Sequence, residues 1–212
     1  GAAKPFRLFD ARRGEVSGQH DFSYSLTGKD LMLTWRGEHE TMIQIENLSK
    51  RYGKNEILRQ ITVRFESGGI YGLVGANGCG KTTLMRCICG FSQPTTGYVL
   101  VNGCLVGGRR ALRRNPALQR SGAVSETADF APKTGVIIES PGFLPNESGL
   151  TNLMLLADMS GRADRADARR AMETLGLSPD ERKPVGRYSL GMRQRLGIAQ
   201  AIMERPPLLV FD

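Results

Sequence analysis

Residues 69–91 read GIYGLVGANGCGKTTLMRCICGF, and this stretch decides the fold. An apolar run of strand length, from Ile70 to Val74, leads into a glycine-rich turn, and a segment of helical character follows. Within the turn, residues 75–82 match the pattern G-x-x-x-x-G-K-[ST], whose backbone surrounds a phosphate group. Because the pattern lies between a strand and a helix, we predict a phosphate-binding loop rather than an accidental match.

The residue types of this loop suit an anion. Glycines let successive backbone N–H groups turn inward, where bulkier residues would obstruct the approach. Lys81 supplies a mobile cation, and the Thr82 hydroxyl is a hard oxygen ligand for Mg²⁺. The helix that begins near Lys81 points its positive end at the same anion. The residues that we expect to bind the nucleotide here are Gly75, Asn77, Gly78, Cys79, Gly80, Lys81, Thr82 and Thr83, with Cys79 contributing only its backbone.

The sequence PPLLVFD, residues 206–212, places a carboxylate directly after an apolar run. Such a run is typical of a strand buried in a parallel sheet, and ligands of open α/β sheets lie beyond the carboxyl ends of the strands. Proteins with this loop hold Mg²⁺ with the loop hydroxyl and with an aspartate at the end of a neighbouring strand. We therefore expect Thr82 and Asp212 to share a magnesium ion.

The composition is that of an ordinary globular protein, with 40% hydrophobic and 24% charged residues among 212. No run approaches the roughly 18 apolar residues that a membrane-spanning helix needs. The net charge of +8 is compatible with nucleic acid, an anionic membrane surface or small anionic ligands, and equally with a solvated basic surface. The four cysteines lack metal-ligand spacing with either histidine, which favours reduced thiols of a cytosolic protein over a zinc site.

Four segments of the chain differ in pattern. Residues 1–41 form an N-terminal extension of uncertain origin. Residues 42–147 are expected to hold the nucleotide-binding core with a β subdomain, and residues 148–188 a helical subdomain. Residues 189–212 carry a further helix and a final strand, with the core expected to continue beyond the chain.

The order of the predicted elements indicates an α/β fold. Short alternating segments predict antiparallel strands on either side of the loop unit, and a hairpin of FSYSL and LMLTW precedes them. The segment VIIE, residues 136–139, returns to strand character. Apolar spacing on one face predicts helices in TNLMLLADM, ADRADARRAMETLGL and SLGMRQRLGIAQAIM.

From Met42 to Asp212 the sequence resembles the ATP-binding cassette (ABC) ATPases. Tyr52 lies 23 residues before Gly75, where this family places the aromatic side chain that stacks on adenine. SLGMRQR, beginning at Ser189, resembles the signature LSGGQ, whose serine and following backbone amides contact the γ-phosphate held by a partner subunit. Leu190 and Met192 replace the usual Gly and Gln, whereas Ser189 and Gly191 are retained.

Glu139 occupies the position of a family glutamine that links Mg²⁺, the attacking water and the membrane partner. A glutamate there retains an oxygen for the metal; the alternative is an exposed carboxylate at a strand end. The resemblance thus implies Lys81 and Glu139 as catalytic residues and Glu139 as a third metal ligand. VIIESPGFLP and YSLGMRQRLGIAQAIM together resemble the bacitracin and lantibiotic export branch.

The resemblance implies a P-loop NTPase core that binds ATP and Mg²⁺ as the ATPase subunit of an exporter. Two subunits would pair head to tail, at the inner face of the cell membrane, and drive a separate transmembrane permease; no nucleic acid is expected. The coupling surface is expected near residues 139–149, with Phe143 and Leu144 exposed. The alternatives are a soluble ABC ATPase acting on ribosomes or nucleic acid, and a non-catalytic ATP-binding module.

The segment GGRRALRRNPALQR, residues 107–120, carries five arginines and resembles an insertion between strands. A solvated loop is the favoured interpretation. Contact with acidic lipid head groups or nucleic acid is the alternative.

The resemblance also predicts a catalytic limit. In the family a glutamate that directly follows the strand aspartate polarises the attacking water, and this chain ends at Asp212. We therefore expect the 212-residue chain to bind nucleotide without turning it over efficiently, as measured by phosphate release from MgATP. Sustained hydrolysis that requires Mg²⁺ and that Lys81→Ala abolishes would contradict this expectation.

Overall fold

The computed structural model describes residues 7–10, 31–35, 43–108, 124–139 and 141–212. The chain divides into two compact units. The first comprises the described residues up to Lys133 together with Val210–Asp212, and the second is Thr134–Leu209. The described strands are β1 (Arg7–Asp10), β2 (Leu31–Trp35), β3 (Ile43–Tyr52), β4 (Asn55–Phe65), β5 (Ile70–Val74), β6 (Thr96–Val101), β7 (Cys104–Gly107), β8 (Glu126–Thr127), β9 (Thr134–Ile137) and β10 (Leu208–Phe211).

One sheet of the first unit has the order β4-β3-β6-β7-β8. The first four strands pair antiparallel, as the alternating segments predicted, while β7 and β8 are parallel. Alternation places Ile43 and Ile45 on the buried face of β3, and a register shift between Ile45 and Leu48 brings the fully buried Leu48 into the core as well. A tight turn at Asn102-Gly103, with both residues in the left-handed region, connects β6 to β7.

The other sheet of this unit is built around β5, the strand that precedes the predicted phosphate loop. β1 and β2 flank β5, and both pair with it antiparallel. β10, whose last residues belong to this unit, is the next strand after β2. Residues 7–10 and 31–35, which the sequence analysis assigned to an extension, therefore supply strands to the sheet that carries the loop.

Helix α1 (Lys81–Cys89) packs against β4, β6 and β7 and completes the core of the first unit. Its buried face consists of Leu84, Met85, Cys87, Ile88 and Cys89. Burial raises the pKa of the Cys87 thiol to about 11 and that of the Cys89 thiol to about 12. These thiols are therefore neutral at physiological pH and act as small apolar side chains.

The second unit contains helices α2 (Gly149–Ser160), α3 (Arg165–Thr174) and α4 (Leu190–Ile202), together with β9 and the start of β10. The three helices pack on one another, and α4 also packs on β9. Their core includes Leu153, Met172 and Leu196, all fully buried. Each helix begins at a polar N-cap side chain, namely Ser148, Asp164 and Ser189.

The predicted elements that fall on described residues are present. The segment VIIE ends as a strand earlier than expected, since β9 stops at Ile137. FSYSL, at residues 22–26, and the five arginines between residues 107 and 120 lie outside the described residues. Among the helices that the structure describes, none combines the length and apolar character needed to cross a membrane.

We predict that Leu153→Ala lowers the free energy of unfolding by about 2–5 kcal/mol, because the substitution opens a cavity in the core of the second unit. Met159→Ala removes a large apolar side chain from the same helix, but Met159 is 84% exposed. This control is expected to change stability by at most about 0.5 kcal/mol. Chemical denaturation followed by circular dichroism measures both values, and equal losses would contradict the assigned core.

Candidate functional site

The loop between β5 and α1 has a backbone that glycine makes possible. Gly78 and Gly80 lie in the left-handed region, with φ of 76° and 103°. A Cβ at Gly80 would lie 2.7 Å from the Leu58 Cδ2 atom and 3.2 Å from the Ile57 carbonyl oxygen, both on β4. A Cβ at Gly78 would meet nothing within 4 Å. Gly80 is therefore required by conformation and by packing, and Gly78 by conformation alone.

The amino end of α1 differs from those of α2, α3 and α4. Those three helices each have a side chain that accepts a hydrogen bond from a first-turn amide. At α1 the N-cap is Gly80, no side chain caps the helix, and its first turn contains no acidic residue. The amides of this turn, together with the helix dipole, form a positive end that an anion can satisfy.

Lys81 is held against the loop by its own backbone. Its Nζ atom donates to the Gly75 carbonyl at 2.7 Å and to the Ala76 carbonyl at 3.2 Å, and lies 3.9 Å from the Cys79 Sγ atom. The ammonium therefore lies within the loop that the sequence assigns to phosphate. Cys79 is buried, and the expectation that it contributes only its backbone to a ligand stays a prediction.

The structure brings together the two residues expected to share a metal. The Thr82 hydroxyl donates to the Asp212 carboxylate at 2.5 Å, although 130 positions separate the two residues. Thr82 lies in the first turn of α1, and Asp212 directly follows β10. A hydroxyl and a carboxylate oxygen are the donors that Mg²⁺ prefers, so this pair fits a magnesium ion.

Tyr52, the last residue of β3, carries an aromatic ring that is 47% exposed. The Lys50 Nζ atom lies 4.8 Å from the ring centroid, and the phenol oxygen is 3.2 Å from the Ser92 Oγ atom. The sequence pattern points to Tyr52 but to neither of these neighbours. Lys50 could have been inferred from the sequence, because residues two apart on a strand share a face. Ser92 is 40 positions away from Tyr52, and no sequence pattern pointed to it.

The second unit carries the other predicted site residues. Glu139 is exposed and has a φ of 70°, a conformation that is costly for a residue with a Cβ and that Arg205 in the same unit also adopts. The Ser189 Oγ atom accepts from the Met192 N–H at 3.2 Å and so caps α4. Gly191 is exposed, with nothing within 4 Å of its Cβ position.

The departures from the signature pattern have different surroundings. Met192 packs against the core of the second unit, whereas Leu190 is 66% exposed.

In the expected coupling segment, Leu144 is exposed as predicted, but Phe143 is partly buried against the core of the second unit. The expectation of an exposed Phe143 was therefore wrong, because its side chain packs against the helical core of the second unit.

The family described as ABC transporter matches residues 58–212. The bacitracin transport ATP-binding protein of Enterococcus faecalis is 38% identical over 82% of this chain and 51% of its own length. The lantibiotic transport ATP-binding protein of Streptococcus pyogenes is 33% identical over 81% of this chain and 66% of its own length. The chain thus spans about half the length of the bacitracin relative.

A bacterial Atm1-family ABC exporter with ATP bound has a similar structure, with a TM-score of 0.57 over 84% of this chain and 30% of that chain. The sequences are 20% identical, so this likeness concerns the fold alone.

We predict that the effects of Thr82→Ala and Asp212→Ala on the free energy of unfolding are not additive, because the Thr82 and Asp212 side chains contact each other. A double-mutant cycle by urea denaturation should give a coupling of about 0.5–1 kcal/mol. Thr83→Ala with Asp212→Ala is the matched control and should be additive. Zero coupling between Thr82 and Asp212 would contradict the contact.

Proposed function

Because the chain belongs to the ABC transporter family and resembles its bacitracin and lantibiotic ATP-binding subunits, we propose that it binds MgATP for an exporter. In the whole protein, ATP hydrolysis would be coupled to export through a separate membrane protein. The expected location is cytoplasmic, peripheral at the inner face of the cell membrane.

The observation that carries this proposal is the contact between Thr82 and Asp212 beside the uncapped amino end of α1. The loop amides and Lys81 would hold the phosphates, whose negative charge matches the helix dipole and the ammonium. Thr82 and Asp212 would hold Mg²⁺ next to them. When bound between these residues, Mg²⁺ would neutralise charge on the phosphates and favour transfer of the terminal phosphoryl group to water.

The second unit would supply the contacts between subunits and with the membrane partner. Ser189 and Gly191 are both exposed, which suits a surface that closes over the nucleotide of a partner in a head-to-tail dimer. Glu139 is exposed as well, and its carboxylate would be a candidate ligand for the metal or for water in the assembled protein. The exposed Leu144 would form part of the coupling surface with the permease.

We predict that the chain binds ATP in the presence of Mg²⁺ and that Lys81→Ala weakens this binding by about 10- to 150-fold, because a charge-assisted contact to phosphate is lost. Isothermal titration calorimetry measures the dissociation constants. Lys54→Ala removes the same charge from an exposed position outside the loop and serves as the control. Equal effects of the two substitutions, or no binding by the wild-type chain, would contradict the proposed function.

A further inference from the structure

We infer that Lys50 is a positioning residue for the nucleotide base: it covers one face of the Tyr52 ring and thereby presents the other face for stacking. This inference rests on the proposed function and assigns to that site a residue that the sequence analysis did not identify. It is carried by a set of contacts that hold both side chains in place.

The Lys50 ammonium is bound on two sides. Its Nζ atom lies 4.8 Å from the Tyr52 ring centroid and donates to the Gln93 carbonyl at 2.6 Å. The side chain of Gln93 is itself bound, donating to the Val106 carbonyl and accepting from the Gly108 N–H, each at 3.2 Å. The cation over the ring is therefore linked to the end of β7 rather than left on a free side chain.

The Tyr52 hydroxyl has its own anchor. It lies 3.2 Å from the Ser92 Oγ atom, on the segment that follows α1. A ring held at its hydroxyl and covered by an ammonium on one face has little freedom to turn. Its remaining exposed surface is consequently available in a single orientation.

Backbone contacts fix the strand end that bears this ring. The Arg51 N–H donates to the Thr95 Oγ1 atom at 3.0 Å, and the Thr95 N–H donates to the Ser49 carbonyl at 2.8 Å. Residues 92–95 begin three positions after the end of α1, the helix whose amino end we assign to phosphate. One end of α1 thus meets the phosphates while the segment after its other end positions the aromatic ring.

This arrangement has an energetic consequence for binding. Ordering a flexible side chain at an interface costs free energy, and a ring that is already ordered avoids that cost. An ammonium on one face of the phenol ring contributes a cation–π attraction, which holds the ring in the orientation that stacking needs. Removing the cation should therefore weaken binding of the base and leave binding of the phosphates unchanged.

The test compares MgATP with magnesium tripolyphosphate, which has the phosphates without a base, on the 212-residue chain. We expect Lys50→Met to weaken MgATP binding by about two- to five-fold, corresponding to a cation–π contact at an exposed site. Binding of tripolyphosphate should not change. Lys50→Arg keeps the cation over the ring, so its affinity for MgATP should remain close to that of the wild-type chain. Lys54→Met, which removes a charge two residues after Tyr52, is the matched control and should have no effect.

NMR spectroscopy of the nucleotide-free chain measures the environment of the Tyr52 ring directly. With ring-labelled tyrosine, the Tyr52 resonance is assigned by its loss in Tyr52→Phe. Lys50→Met should shift this resonance, and Lys54→Met should not. An unchanged resonance in Lys50→Met, or an equal loss of MgATP and tripolyphosphate affinity, would overturn the inference while leaving the proposed function intact. Failure of the wild-type chain to bind either ligand would overturn both.

Discussion

The conformation of Gly80 is the constraint on which the nucleotide site depends. Its φ of 103° turns the chain from the loop into α1, and its Cα packs so closely on β4 that a Cβ would lie 2.7 Å from Leu58. No side chain at this position can cap the helix, so the first-turn amides remain for an anion. The same turn places Thr82 in the first turn of α1, where its hydroxyl meets Asp212. A change at Gly80 would thus affect the first-turn amides of α1 and the contact between Thr82 and Asp212 together.

Around this turn, the first unit uses ordinary packing to hold polar groups in place. The buried face of α1 is apolar, including thiols whose pKa burial raises to about 11 and 12, so the helix is fixed against its sheet without charged contacts on that side. The segments before and after α1 then hold the polar side chains in place. The loop before α1 holds Lys81 through backbone carbonyls, and the loop after it holds Lys50 and Tyr52.

The second unit is organised differently, since each of its helices α2, α3 and α4 is capped at its amino end by the side chain of its N-cap residue. Ser189 is an example: its hydroxyl accepts from the Met192 N–H and caps α4, while the residue itself remains exposed. Glu139 is held in the left-handed region. That conformation carries a cost of about 1–3 kcal/mol for a residue with a Cβ, and Arg205 of the same unit adopts it as well.

Local sequence was sufficient for the loop, the helix that follows it and the antiparallel strands, because glycine spacing, apolar periodicity and strand propensity act over a few residues. It also identified Thr82 and Asp212, since an apolar strand that ends in aspartate complements the loop. It did not anticipate that residues 7–10 and 31–35 flank β5, nor that Phe143 covers the helical core. The neighbours of a strand and the burial of a side chain depend on contacts between segments that are distant in sequence, so local patterns do not predict them. For the same reason the sequence alone predicts the loop and its pairing of Thr82 with Asp212, whereas only the tertiary structure showed that Lys50 and Ser92, on separate segments, converge on one aromatic ring.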